Sequence, residues 1–153
     1  MTNDQLLIRE YVKQQFSAQQ FADESTYFEF LAASQVLREC DLSDEEVETG
    51  LTGNGGDGGC DGVYLFFNDV LVGEEFIENL TEIPRGATLQ MYIIQAKNEL
   101  GFREDAIMKW KTIADNLLQF DNQINSFSGR YTEKILDFFQ NFKIYELNFL
   151  PVK

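Results

Sequence analysis

Three side chains, Asp61, Gln95 and Lys97, carry the strongest chemical signal in the chain. Gln95 and Lys97 fall in the run Tyr92-Ile93-Ile94-Gln95-Ala96-Lys97-Asn98. Residues two apart on an extended strand share a face, so the amide and the ammonium are expected to project together. Polar groups closing an otherwise apolar strand call for a polar partner, and Asp61, at the start of the preceding strong strand, is the best candidate. One carboxylate, one amide oxygen and the Ala96 backbone carbonyl form a donor set for a hard divalent cation. Lys97 would then orient and help deprotonate an attacking water while steadying the charge that builds on a phosphate.

The rest of the composition narrows the chemistry. There is no His, and Cys40 and Cys60 form no CxxC pair, so structural zinc and imidazole acid–base catalysis fall away. A formal charge of −14, from 12 Lys+Arg against 26 Asp+Glu, opposes long-range attraction of a polyanion. Much of that excess lies in Asp41 to Glu48 and Glu74 to Glu82, read as solvated surface. No apolar run reaches the roughly 18 residues of a membrane span, and the N-terminus lacks a basic region followed by an apolar one. The expectation is a cytoplasmic protein with no membrane partner.

The elements that must position the candidate residues can be read from pattern. Residues 4 to 21 repeat apolar groups at Leu7, Ile8, Tyr11, Val12, Phe16 and Phe21, which predicts a first helix. A second is expected from Thr26, with Thr26 and Glu29 as a capping box, and a short third from Ser43, boxed with Glu46 and stopping at Gly50. Gly-Asn-Gly-Gly-Asp-Gly-Gly-Cys-Asp-Gly, 53 to 62, excludes helix and regular strand and reads as a tight backbone feature. Its default reading is a structural turn, with Asp57 closing an Asx turn. Exposed N–H groups that could meet a phosphate are the functional alternative.

Val63 to Phe67 is strand-like, Asn68-Asp69 turns the chain into Val70-Leu71-Val72, and Leu89 to Lys97 forms a second strong strand after an acidic connection through Pro84-Arg85-Gly86. Residues 103 to 120 predict an amphipathic helix with Ile107, Trp110, Ile113, Ala114 and Leu117 inward. Thr132 to about Tyr145 predicts another, with Ile135, Phe138, Phe139 and Phe142 inside. The order of elements suits a single α/β domain over 1 to 153, a small mixed sheet flanked by helices. Because the chain ends just after a helix, it is expected to be the N-terminal part of a longer protein.

Gly56-Asp57-Gly58-Gly59-Cys60-Asp61-Gly62 followed by Ile94-Gln95-Ala96-Lys97 resembles the motif pair of Mrr-like restriction endonucleases in the PD-(D/E)xK superfamily, where Gln commonly replaces the second acid. The finer resemblance is to the N-terminal domain of abortive-infection phage-resistance (AIPR) proteins. It rests on Asp61-Gly62-Val63-Tyr64, a hairpin with an acidic connection, Ile93-Ile94-Gln95-Ala96-Lys97, and Gly101-Phe102 leading into a helix, and it covers about 25 to 120. It implies a restriction-endonuclease-like fold and a Mg²⁺- or Mn²⁺-dependent endonuclease of bacterial phage defence, acting on nucleic acid, DNA in preference to RNA. Asp61, Gln95 and Lys97 are its implied core, and Glu29 matches the acid that often joins the metal from the first core helix. The remainder of a longer chain or another subunit is the implied protein partner.

Other readings compete. Glu29 serves equally as a helix-capping partner. Trp110, between Lys109 and Lys111, is read first as core and second as a base-stacking platform. Tyr64 and Tyr92 are read as sheet-packing residues. A single Gly-Asp repeat for calcium lacks neighbours, and a nucleotide regulator lacks GxxxxGK[ST] after the strand. The main alternative to an enzyme is a catalytically inactive interaction domain of the same fold, which the acidity favours.

Overall fold

The computed structural model describes residues 2–18, 21–53, 55, 58–73, 76, 86–97 and 104–149. Its elements run α1 (Asn3–Phe16), α2 (Glu24–Val36), α3 (Asp44–Gly50), β1 (Gly62–Phe67), β2 (Val70–Leu71), β3 (Leu89–Ile94), α4 (Glu104–Ile113), a π-helical turn (Ala114–Leu118), a 3-10 turn (Ile124–Phe127) and α5 (Glu133–Phe149). The α/β expectation holds. The sheet, however, is antiparallel among the described residues, in the order β2-β1-β3, and not mixed. A parallel pair needs a long crossover, whereas β1 and β3 here meet through an antiparallel return that local pattern cannot distinguish from one.

The sheet separates two apolar layers. Tyr64, Phe66 and Ile94 pack with Val12 of α1, Tyr27, Phe30 and Ala33 of α2, and Val47 of α3. Val63 alternates to the other face, where it joins Ile113, Leu117 and Ile124 with Ile135, Leu136 and Phe139 of α5. All six β1 residues are consequently buried. Tyr64 is the pivot of the first layer: its hydroxyl donates to the Val47 carbonyl at 2.6 Å, and the ring lies against Gly50. Burial raises the phenol far above its usual range.

The hairpin forms as its residues dictate. Asn68 and Asp69 take φ of 49° and 66°, the left-handed pair of a two-residue turn between Phe67 and Val70. The Ser43–Glu46 box also forms, with Glu46 N–H donating to Ser43 Oγ at 3.3 Å and Ser43 N–H to Glu46 Oε2 at 2.8 Å. The start of α2 is different from expectation. Asp23 is the N-cap, accepting from Thr26 N–H at 2.8 Å. Thr26 therefore lies inside the helix and Glu29 is not its capping partner. Asp and Thr three residues apart are both competent caps, and the choice is made by tertiary packing, which brings Tyr27 and Phe30 inward.

Three other boundaries shift. The first helix ends at Phe16, and its Leu7, Ile8 and Tyr11 are exposed, leaving Val12 as the buried contact. The second strong strand ends at Ile94, so Gln95 and Lys97 lie just beyond regular pairing. The helix expected over 103–120 gives way to the π turn at Ala114, whose wider spacing breaks the 3.6-residue phase. Ile107 and Trp110 accordingly stand outside the core, 65% and 43% exposed. The Asp57 turn and the connection through Pro84-Arg85 fall outside the described residues, as does Gly101-Phe102.

The two caps set a pH dependence. Hydrogen bonds from the Thr26 backbone and side chain hold the Asp23 carboxyl below its usual range, and those from Ser43 do the same for Glu46. A folded pKa below the unfolded one contributes stability above the unfolded value and loses it as pH falls through the folded value. Ser43→Ala should cost about 1 kcal/mol at neutral pH. In urea unfolding, its deficit from the parent should shrink once pH drops below about 4, the ordinary carboxylate range. A deficit constant from pH 7 to 3 would show that Glu46 does not titrate with the cap.

Candidate functional site

The start of β1 and the end of β3 meet at one end of the sheet, with Gly62 opposite Ile94. Two crossings close this end. Asp61 N–H donates to the Ile94 carbonyl at 2.8 Å, and the Asp61 carboxylate Oδ2 accepts from Ala96 N–H at 2.6 Å. Gln95 reaches back over the loop and gives its Nε2 to the Gly59 carbonyl at 2.8 Å. The structure thus brings Asp61, Gln95 and Ala96 together. Lys97 follows them, exposed at the rim.

Glycine is demanded at Gly59. Its φ is +91°, and a Cβ there would stand 2.8 Å from Gln95 Nε2 and 3.2 Å from Lys109 Cδ. Gly58 is confined in the same way, at φ +69° with a Cβ position 2.5 Å from Ile113 Cδ1. The loop is consequently pressed between the end of β3 and α4. Thr52 anchors its other side, its hydroxyl donating to the Cys60 carbonyl and its N–H to the Asp61 carbonyl at 3.1 Å.

Lys109 is the residue the sequence reading undervalued. It passes Gly59 beside Gln95 and places a second cationic side chain at this end of the sheet. Its sequence signal is the charge flanking Trp110, but that this face of α4 meets the glycine loop is decided by packing between distant elements. Glu29 is half-buried on α2, in the layer that packs with Tyr64 and Phe66, whereas the Gln95 side chain lies beside Gly59 and Lys109 on the α4 side. A further buried cation, Lys143, is structural: it donates to the Gln119 and Asn122 carbonyls at 2.6 and 2.9 Å.

The donor set fits a hard cation in kind. Among the described residues no three of His, Cys, Asp and Glu cluster. What the sheet end offers is one carboxylate, the Gln95 amide with its nitrogen committed to Gly59, and the Ala96 carbonyl next to a bonded N–H. Such a set suits an ion that retains several waters, as Mg²⁺ does.

No protein-family model, curated protein or solved structure matches the chain. No helix among the described residues is long and apolar enough to cross a membrane.

Proposed function

We propose that the chain is a Mg²⁺-dependent phosphodiesterase of the PD-(D/E)xK type with a restriction-endonuclease-like core, acting on nucleic acid, DNA in preference to RNA, in cytoplasmic phage defence. The observation that supports it most is the bond from Ala96 N–H to the Asp61 carboxylate, which joins the two half-motifs across 35 residues of chain. Asp61, the Gln95 amide oxygen and the Ala96 carbonyl would hold the cation; Glu29, the further acid that the family resemblance implies, lies in the α2 layer and would have to reach round the strand end to join them. The cation, when bound, lowers the pKa of a coordinated water and draws charge from the phosphate. Asp61 keeps its carboxylate aimed at the strand end through the Ala96 contact. Gln95 is oriented by its bond to Gly59. Lys97 offsets the charge growing on the phosphate oxygens, and its exposed position lets it meet a substrate without rearranging the core.

Metal titration tests the assignment. Mg²⁺ or Mn²⁺ should bind the parent weakly, since one carboxylate dominates the set, and Asp61→Ala should lower affinity by at least about tenfold, the effect of losing a charge-assisted contact of roughly 1.5 kcal/mol. Equal affinity in parent and variant would remove Asp61 from any metal site.

The second reading is an interaction domain without catalysis. It is favoured by the −14 charge and by the engagement of both Asp61 and Gln95 with backbone groups of the loop, which would be reason enough for their presence as structural ties.

A further inference from the structure

Next to the sheet end lies an apolar cavity of about 300 Å³, lined by Met91 and Ile93 of β3 and by Trp110, Ile113, Ala114 and Leu118. β3 pairs with β1 alone among the described residues, so this cavity lies against an edge strand of the sheet. Trp110 is 43% exposed, with Ile107 and Met108 exposed beside it. A tryptophan held at the mouth of an apolar cavity offers a large flat face at little entropic cost.

Position gives this cavity its meaning. Ile93 and Gln95 are two residues apart, about 7 Å along an extended chain. The cavity therefore adjoins the end of the sheet where Asp61, Gln95 and Lys97 stand. Lys109 precedes Trp110, and its aliphatic stem passes Gly59 on the side where Gln95 Nε2 lies, so a lysine side chain stands beside both the cavity and that cluster. Lys111, on the other side, is engaged with Asp115 at 2.5 Å. An apolar slot with one planar wall, one cationic flank and a cavity volume at the small end of the ligand range suits a single flat ring attached to a phosphate.

We infer that this cavity receives one unstacked base of a single-stranded nucleic acid, the base resting on Trp110 while Lys109 meets the adjoining phosphate. The inference rests on the nuclease reading and narrows its substrate to strands with an accessible base. A base within a duplex is already stacked on both faces and cannot enter.

Trp110 is the only tryptophan in the chain, so its emission reports the cavity alone. Titration with a dodecamer of thymidylate at low ionic strength in EDTA should quench that emission, whereas a duplex or an abasic strand of the same length should not. In parallel, anisotropy of a labelled dodecamer should show Trp110→Ala binding on the order of tenfold more weakly and Trp110→Phe within a few fold of the parent, as expected of stacking. EDTA keeps this result independent of the metal site: flat metal titrations with a Trp110 quench would refute the nuclease reading and leave the base pocket standing. Equal quenching by abasic strand or duplex, undiminished binding by Trp110→Ala, or an emission shift that follows protein concentration without nucleic acid would overturn the inference. The last outcome would assign the surface to self-association.

Discussion

Replacing Lys97 by Met should lower Mg²⁺-dependent cleavage by about two to three orders of magnitude, the usual loss when a donor aimed at transition-state charge is removed. Met keeps the length of the stem, and Lys97 is exposed beyond the end of β3, so the fold has little reason to respond. The assay is nicking of supercoiled plasmid and cutting of single-stranded RNA, at low ionic strength because a chain of charge −14 grips phosphate feebly. Cleavage by Lys97→Met at the parent rate would transfer the activity to another site and favour the interaction-domain reading. Lys97→Arg separates charge from proton transfer: it keeps the cation but releases a proton far less readily, so partial activity would mark Lys97 as an electrostatic group.

Gly50→Ala should be the most damaging small substitution for stability. A Cβ at this position would lie 2.0 Å from Tyr64 Cε1 and 2.3 Å from Cζ. The ring cannot retreat, since it is 1% exposed and its hydroxyl is tied to the Val47 carbonyl at 2.6 Å. Overpacking of this kind costs about 3 kcal/mol, near the top of the usual range. Urea unfolding of Gly50→Ala, Tyr64→Leu and the pair should then show strong non-additivity, the second change relieving part of the first by at least about 1 kcal/mol. A Gly50→Ala protein within roughly 0.5 kcal/mol of the parent would mean that α3 ends differently in solution, since changes away from such contacts stay within that margin.

Both substitutions test positions whose type could be read from sequence, and the contrast between them shows where such reading stops. The span of α3 was legible because both of its ends are local devices, the Ser43–Glu46 box at the start and Gly50 at the stop. Asn68-Asp69 was legible as a two-residue turn for the same reason. The close approach of the Tyr64 ring to Gly50, by contrast, joins residues of different elements. The antiparallel direction of β3, the change of phase at Ala114 and the choice of Asp23 over Thr26 as cap are likewise decided by packing between elements.

The candidate site divides the same way. Asp61, Gln95 and Lys97 announce themselves by type and spacing, since polar groups at the end of an apolar strand are costly without partners. Gly59 and Lys109 do not. Gly59 is one glycine among several, distinguished only by the Gln95 amide pressed on it, and Lys109 resembles any solvated lysine until α4 is set beside the loop. Glu29 illustrates the opposite case: its pairing with Thr26 fits a capping pattern in sequence, yet the helix begins one turn earlier.

The division of the interior into two layers has a consequence for synthesis on the ribosome. The layer holding Tyr64, Phe66 and Ile94 is assembled from residues 12 to 94, so every one of its buried members has been translated once β3 is complete. The opposite face of the same strands has no such independence, because Ile135, Leu136 and Phe139 come from the last helix. Val63, Met91 and Ile93 therefore have only Ile113, Leu117 and Ile124 available to cover them until some forty further residues have been added, on the order of 2 to 8 s at ordinary elongation rates. During that interval the nascent sheet presents one finished side and one partly covered, adhesive side, which α5 then closes.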